Sequence, residues 1–361
     1  MIRLFKVFMS DDVISELEPV LKSGYIGDGP QVKEFEKKVG EFIGNPRVLM
    51  LNSGTSALRL ACILAGVNKH DYVISTPMTC LATNTAILEA GCGYIAWADV
   101  NPRTGVMDPE SVERIMKEDG YPAAIMCMHW GGHPAPLYEL NYCEQLGIPV
   151  IEDACQALGS RYGNRRIGNH SRFVCFSFQA IKTLTTGDGG AIAFAQEYDY
   201  KRARLLKWFG LDRELSSSMR CSQDPAEAGY KMQSNDIAAA IGLANIKHLP
   251  RLLERMRQIA RIYTMICNER VDTSSCLFDE SSNWLYTVLV DDAADFIAYM
   301  KNRGIEASKV HARNDTKRIF REFQRELPGV EEFDRRHVCI PCGWWLSDED
   351  VKEVVDALKG Y

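Results

Sequence analysis

A single lysine, Lys182, stands among apolar residues, hydroxyls and glycines in FSFQAIKTLTTGDGG, residues 176–190. Burying an ammonium is costly, so a lysine between a predicted strand and a tight turn pairs, snorkels or reacts. A reacting lysine must be partly neutral, which burial or a nearby cation brings about. A lysine whose stem only covers apolar neighbours needs neither. Two other stretches carry candidate chemistry. IPVIEDACQALGS (148–160) ends a buried strand in Glu152 and Asp153, where open α/β sheets meet their ligands. Spacing does not choose between these two acids, and either also reads as a solvated loop acid or a helix cap. NSGTSAL (52–58) opens a helix directly after a strand. Its small residues let a ligand approach the backbone, and free helix amides favour an anion. Ser53, Thr55 and Ser56 serve equally well as N-caps. Asp188 reads as a turn residue before Gly189 and Gly190.

Taken together, the three stretches bring an anion cradle, a carboxylate and a lysine to successive strand ends of one sheet. Pyridoxal phosphate needs all three: a phosphate site, an acid for its ring nitrogen and a Schiff-base lysine. Competing motifs are missing. There is no G-x-x-x-x-G-K-[ST], and no G-x-G-x-x-G follows an early strand, which disfavours phosphate-loop and NAD chemistry. Cys339 and Cys342 form one C-x-x-C in CIPC. A solitary pair is a weak zinc signal, so two packed cysteines around a proline turn are expected and no metal.

The elements that must hold these residues follow from pattern. RVLML, YVIS, YIAWADV, AAIMCM and IPVIED read as strands without internal charge. Helical stretches at 55–66, 81–90, 108–117 and 137–146 alternate with them, after an amphipathic helix at 31–43 carrying Val32, Phe35, Val39, Phe42 and Ile43 on one face. The alternation predicts a mostly parallel sheet covered on both faces. SRYGNRRIG reads as a hairpin, FVCFSF and GGAIAF as two more buried strands, and 197–208 and 235–268 as helical. The polar stretch 216–229 reads as an exposed loop. WLYTVLV, a helix at 293–302, IEAS and a last helix near 347–359 form a smaller α/β unit. The expected division is therefore 1–250 and 251–361.

The chain has 361 residues, 46% hydrophobic and 25% charged, with a formal net charge of -6. This is ordinary globular composition with room for a large core. The charge gives no nucleic-acid footprint. Twelve cysteines, scattered through apolar runs, read as reduced and packed. MIRLFKVFMSDD lacks a long apolar region and a cleavage site, and no run reaches the ~18 apolar residues of a membrane span. A cytoplasmic protein without a membrane partner is expected.

Beyond these readings, the sequence closely resembles the sugar-nucleotide aminotransferases, pyridoxal-phosphate enzymes of fold type I, over nearly the whole chain and most strongly over 20–245. The resemblance rests on SGYIGDGPQVKEFEKKVGEFIG, NSGTSAL, IPVIEDACQALGS, RIGNHSRFVCFSF, KTLTTGDGG and NDIAAAIGLANI in this order, and on IPCGWWLSDEDV near the C-terminus. It implies a three-layer αβα large domain with a mostly parallel seven-stranded sheet and a smaller C-terminal α/β domain.

The resemblance also implies roles for individual residues. Lys182 matches the lysine that forms the internal aldimine and then shuttles the proton. Asp153 matches the acid on the pyridine nitrogen, and Gln156 the residue beside the phenolic oxygen. Ser53, Gly54, Thr55 and Ser177 match the phosphate cradle. The family's site lies at a homodimer interface. Three departures stand out. Cys80 occupies the place of an aromatic residue that stacks on the ring. Lys231, in GYKMQSND, replaces a partner-chain asparagine near the phosphate. MHWGGH replaces the usual HLYG, with consequences for a sugar pocket around His129 and Trp130. Candidate nucleotide partners are Lys309, Arg313 and the loop near Tyr25–Gly29 (Tyr25, Ile26 and Gly27 above all), with His311 near the sugar; the alternative reading of these is a charged loop of the small domain.

The resemblance implies a reaction that moves an amino group from an amino acid, with glutamate the expected donor, to C4 or C3 of a nucleotide-linked keto sugar. A 4-keto-6-deoxyhexose destined for a surface glycan such as an O-antigen, or for another glycoside, is the favoured substrate. Rival readings are a dehydratase on the same fold, against which Lys182 counts because such relatives carry histidine there, a non-catalytic cofactor-binding regulator, and an amino-acid aminotransferase.

Overall fold

The computed structural model describes residues 1–215, 220, 222–267, 271–273 and 281–361. Seven strands form the main sheet in the order β1 (Val48–Leu51), β9 (Gly190–Phe194), β8 (Phe173–Ser177), β5 (Val150–Asp153), β4 (Ala124–Met128), β2 (Tyr72–Ser75), β3 (Tyr94–Trp97). β9 runs antiparallel to both its neighbours, and the other pairings are parallel. Strands buried on both faces need no alternation of polarity, which is why these runs are apolar throughout. Leu49, Leu51, Met126, Ile151 and Phe173 pack into one core, while Val48, Met50, Ile125, Val150 and Val174 pack into the other. The hairpin expected near 160–168 is present as β6 (Arg161–Tyr162) and β7 (Arg165–Arg166).

Helices cover both faces. They are α1 (Val13–Lys22), α2 (Pro30–Ile43), α3 (Gly54–Leu64), α4 (Leu81–Glu89), α5 (Pro109–Asp119), α6 (Leu137–Gln145), α7 (Glu197–Leu206), α8 (Asp236–Ile246) and α9 (Leu249–Ile266). The helical run read as 235–268 is thus two helices. Asn235 caps the first through Ala238 N–H, and Pro250 sits in the first turn of the second, where a missing amide costs nothing.

A second, antiparallel sheet joins β10 (Asp272–Thr273), β11 (Tyr286–Leu289) and β12 (His337–Ile340). Around it lie α10 (Ala293–Asn302), α11 (Pro328–Arg336) and α12 (Asp348–Gly360). The stretch IEAS makes only isolated bridges, Ile305 with Ile2 and Ser308 with Cys339. Ile2 belongs to the core of this second unit, together with Ile259 and Tyr263 of α9. The chain's first residues therefore pack with the C-terminal unit, and α9 spans the expected boundary at 250. Within the polar stretch 216–229, residues 216–219 and 221 lie outside those described, as does 268 at the end of the expected helical run.

Candidate active site

The two adjacent acids at the end of β5 point to opposite faces, as alternation along a strand requires. Asp153 Oδ2 accepts from Thr83 Oγ1 at 2.6 Å, and Oδ1 accepts from Cys155 N–H at 3.1 Å. Thr83, on α4, also meets Thr79 Oγ1 at 2.7 Å. Glu152 is fully buried on the other face, where Oε2 meets His129 Nε2 at 3.0 Å. His129 Nδ1 accepts from Ala135 N–H at 2.8 Å, so a ring proton is assigned to Nε2, facing Glu152. The choice that spacing leaves open is resolved by geometry: Asp153 lies on the side of Lys182 and acts on its charge, and Glu152 does not share that side.

Lys182 sits in the loop between β8 and β9. That loop is closed by Lys182 N–H to Gln179 O (2.9 Å), Thr186 N–H to Phe178 O (3.0 Å) and Phe178 N–H to Gly189 O (2.8 Å). Gly187 turns it at φ +84°. The half-buried lysine lays Nζ over the indole of Trp284, 3.6 Å from the ring centroid. Burial holds its amine below the ordinary lysine range, opposed by Cys155, Asp153 and Cys80.

The cradle is made where α3 begins. Ser53 Oγ caps Ser56 N–H at 3.1 Å, and the first amide to bond back along the helix is that of Ala57, to Ser53 O at 3.2 Å. The amides of Gly54 and Thr55 come before it. A Cβ at Gly54 would lie 2.8 Å from Ser177 Cβ and 3.1 Å from Cys155 Sγ. A Cβ at Gly190 would strike the Ser53 carbonyl. These contacts bring the ends of β1, β5, β8 and β9 to one place. A helix N-terminus with small residues and a hydroxyl fits a phosphate, and a carboxylate and an amine, the other two groups that pyridoxal phosphate needs, stand beside it as Asp153 and Lys182. The capping reading of Ser53 also holds, so Ser53 does both tasks in this fit.

Gln156 Oε1 accepts from Gly131 N–H at 2.7 Å, and Nε2 meets His311 Nε2 at 2.8 Å. The glutamine amide donates, so the His311 proton is assigned to Nδ1. Burial, aided by repulsion from Lys182 and His337, pushes His311 down to about 3. Its backbone N–H bonds Lys309 O at 2.7 Å across Val310, which has φ +63°. A β-branched residue there is strained. His311 thus reaches the site from the second unit, stacked on Trp284 at 6.5 Å.

Among the remaining candidates, Cys80 lies near enough to Lys182 to act on its charge. Arg313 forms a two-bond pair with Asp315 at 2.9 and 2.6 Å, and Lys309 bonds the Asp334 carbonyl and pairs with its carboxylate. His129 and Trp130 are fully buried behind the site, the indole donating to Thr287 Oγ1 at 3.0 Å. Cys80, half-buried, precedes α4, and its carbonyl and that of Thr79 face Asn314 Nδ2 at 3.4 and 3.1 Å. Lys231 is exposed, with Nζ 3.8 Å from the Trp208 ring centroid, and its carbonyl meets Asn52 Nδ2 at 3.4 Å, one residue from the cradle. Tyr25, Ile26 and Gly27 are exposed. Asp236 N–H bonds Gly27 O at 2.7 Å, and Asp236 Oδ1 holds the amides of Gly29 and Val32, each at 3.0 Å. A cavity of about 910 Å³ opens beside this loop, walled by Asp28, Lys33, Lys207 and Arg213. Lys182 and Asp153 are not on its walls, so its size does not mark the chemistry. Cys339 and Cys342 are buried free thiols, and no group of three or more metal-ligating residues occurs among the described residues.

Sequence reading passed over Thr83, Trp284 and Asn314. Thr83 carries a weak signal, two hydroxyls at helical spacing (Thr79 and Thr83). Trp284 carries none, since an aromatic at the head of a strand reads as core.

The model of the DegT/DnrJ/EryC1/StrS aminotransferase family matches residues 8–359. The chain is 30% identical to a dTDP-4-dehydro-2,3,6-trideoxy-D-glucose 4-aminotransferase of Saccharopolyspora spinosa, covering 99% of this chain and 96% of that one. It is 29% identical to a UDP-4-amino-4,6-dideoxy-N-acetyl-beta-L-altrosamine transaminase of Campylobacter jejuni, covering 96% and 93%. The crystal structure of the sugar aminotransferase CalS13 from Micromonospora echinospora superposes with a TM-score of 0.93 at 36% identity, covering 100% of both chains.

Proposed function

The chain belongs to the DegT/DnrJ/EryC1/StrS aminotransferase family, and from that membership we propose that it moves an amino group from glutamate to the C4 keto group of a nucleotide-linked 4-keto-6-deoxyhexose. Its cofactor is pyridoxal 5'-phosphate. Two relatives are named for an amino group at C4, which favours C4 over C3 here. The product would enter a surface glycan or another glycoside, and the enzyme would work in the cytoplasm.

The observation that carries this reading is the convergence of Lys182, Asp153 and the amides of Gly54 and Thr55 at adjoining strand ends. When bound, pyridoxal phosphate supplies the electron sink that lets an amino group leave one carbon and join another. The chain's own residues do the rest. Asp153, fixed by Thr83 and Cys155 N–H, offers a carboxylate that keeps a ring nitrogen protonated, an electrostatic arrangement made before reaction. Lys182 Nζ, with its affinity for protons reduced by burial, takes and returns the migrating proton. Gly54, Thr55, Ser53 and Ser177 hold the phosphate. Gln156 keeps one amide proton to spare beyond its bond to His311 and faces the same space. The exposed loop at Tyr25, Ile26 and Gly27 would hold the nucleotide in a homodimer whose interface completes the site, with Lys231 serving the phosphate. Arg313 and Lys309 would reach the nucleotide only on leaving Asp315 and Asp334.

The test is to add glutamate to the yellow enzyme and follow loss of its visible band, then screen the aminated form against keto-sugar nucleotides by mass spectrometry. Bleaching by glutamate and amination of a 4-keto sugar is the expected result. Bleaching by glutamate with transfer only to 2-keto acids would instead mark an amino-acid aminotransferase.

A further inference from the structure

We propose that Trp284 is the positioning residue of Lys182: the face of its indole receives the lysine's amino group as a cation whenever that amine is unbonded. The inference rests on the reading of Lys182 as the reacting amine, and it adds a part that neither the motifs nor the comparisons assign.

Nζ lies 3.6 Å from the indole centroid. Among the described residues no hydrogen bond or ion pair reaches it. The acid on its side, Asp153, already has one oxygen bonded to Thr83 and the other to Cys155 N–H. A direct Lys182–Asp153 pair would satisfy the ammonium and take the carboxylate away from a ring nitrogen. An aromatic face stabilises the ammonium by about 0.5–2 kcal/mol and leaves Asp153 where it is. The indole is held on several sides. Its Nε1–H donates to Ile181 O at 2.9 Å, the residue next to Lys182. Phe5 stacks on it at 5.3 Å and 28°. Asn283, just before it, takes φ +49° and is pinned to Ser281 by bonds of 3.0 and 3.2 Å. Asparagine adopts that region readily, and the two bonds hold the turn that presents Trp284. The other groups facing Nζ are Cys155 after β5, Cys80 before α4, and His311 from the second unit, a neutral ring stacked with Trp284.

The experiment uses the cofactor-free protein. Acetylation of Lys182 by acetic anhydride is followed by peptide mass spectrometry across pH, for wild type, Trp284→Phe and Trp284→Leu. Loss of the aromatic face in Trp284→Leu should lower the midpoint of the pH–rate curve. Well below the midpoint, labelling should then run about 3- to 10-fold faster, with the high-pH limit unchanged. Trp284→Phe should stay within about 2-fold of wild type. An unchanged midpoint in Trp284→Leu, or a rise confined to the high-pH limit as simple exposure would give, overturns the proposal. If Trp284→Leu does not fold, Phe5→Leu, which removes only the ring behind the indole, carries the same test with a smaller shift, and an unchanged midpoint there also counts against it. Borohydride trapping of the cofactor at Lys182 in the same variants separates the two readings. A shifted midpoint without trapping leaves the platform standing and removes the aldimine assignment.

Discussion

At the scale of single residues, the polar groups of the candidate site are held in place by neighbours behind them. Asp153 shows this best. Its Thr83 bond is short and charge-assisted, and the loss of such a bond costs about 1.5–3 kcal/mol. Thr83→Val keeps the shape and removes the donor, so Asp153 is left to turn toward other partners. We expect cofactor affinity to fall at least about 10-fold with the far-UV dichroism unchanged, measured by equilibrium dialysis. Wild-type affinity in that variant would show that Asp153 needs no second-side support. That Lys182, Asp153 and Gly54 would come together at adjoining strand ends was legible in the sequence, because each lies in a short local pattern at a strand end. The choice of Asp153 over Glu152 was not, because it depends on which face of β5 each residue takes. Trp284, Thr83 and Asn314 act on the site from distant parts of the chain, and no spacing records that.

At the scale of elements, hydrophobic pattern served well wherever burial is two-sided. All seven strands of the main sheet and most of the helices were read from it. The misses have physical causes. α1 buries only Val13 and Val20 and contains Pro19, so its stripe is thin and a breaker sits inside it. α11 starts at a proline and depends on a cap from another element. Asp99, just past β3, accepts from Gly329 N–H at 2.9 Å and Val330 N–H at 2.7 Å. That carboxylate satisfies two amides of the first turn and complements the helix dipole. Asp99→Ala should destabilise the protein by about 1–2 kcal/mol, seen as a lower urea midpoint with an unchanged slope. A neutral result would mean that water replaces the carboxylate there. His311 and Asn314 lie on the same connection, so the second unit reaches the large sheet both through this cap and through the Asn314 bonds to the 77–80 turn.

At the scale of the whole molecule, four of the seven histidines are held neutral by burial: His133, His170, His311 and His337. Their folded values lie below the unfolded value of about 6.5. The unfolded chain therefore binds more protons as pH falls below 6.5, and stability is lost from there downward, through about 4 for His133 and about 3 for His311. Each fully differential histidine contributes a slope of about 1.4 kcal/mol per pH unit. Glu36 and Glu144, raised by burial, act in the opposite direction. Comparing His311→Gln with wild type isolates one histidine: the variant should lose less stability between pH 6.5 and 4.5 in urea unfolding. Equal losses in the two proteins would contradict the buried neutral ring. No helix among the described residues is long and apolar enough to cross a membrane.

The central claim is that the Lys182 amine bonds the cofactor, and one measurement addresses it directly. Protein saturated with pyridoxal phosphate is reduced with borohydride, digested and mapped by mass spectrometry. The expected result is a pyridoxyl group on the peptide containing Lys182 and on no other lysine in stoichiometric yield. A saturated, reduced sample in which Lys182 stays unmodified would contradict the mechanism from its first step.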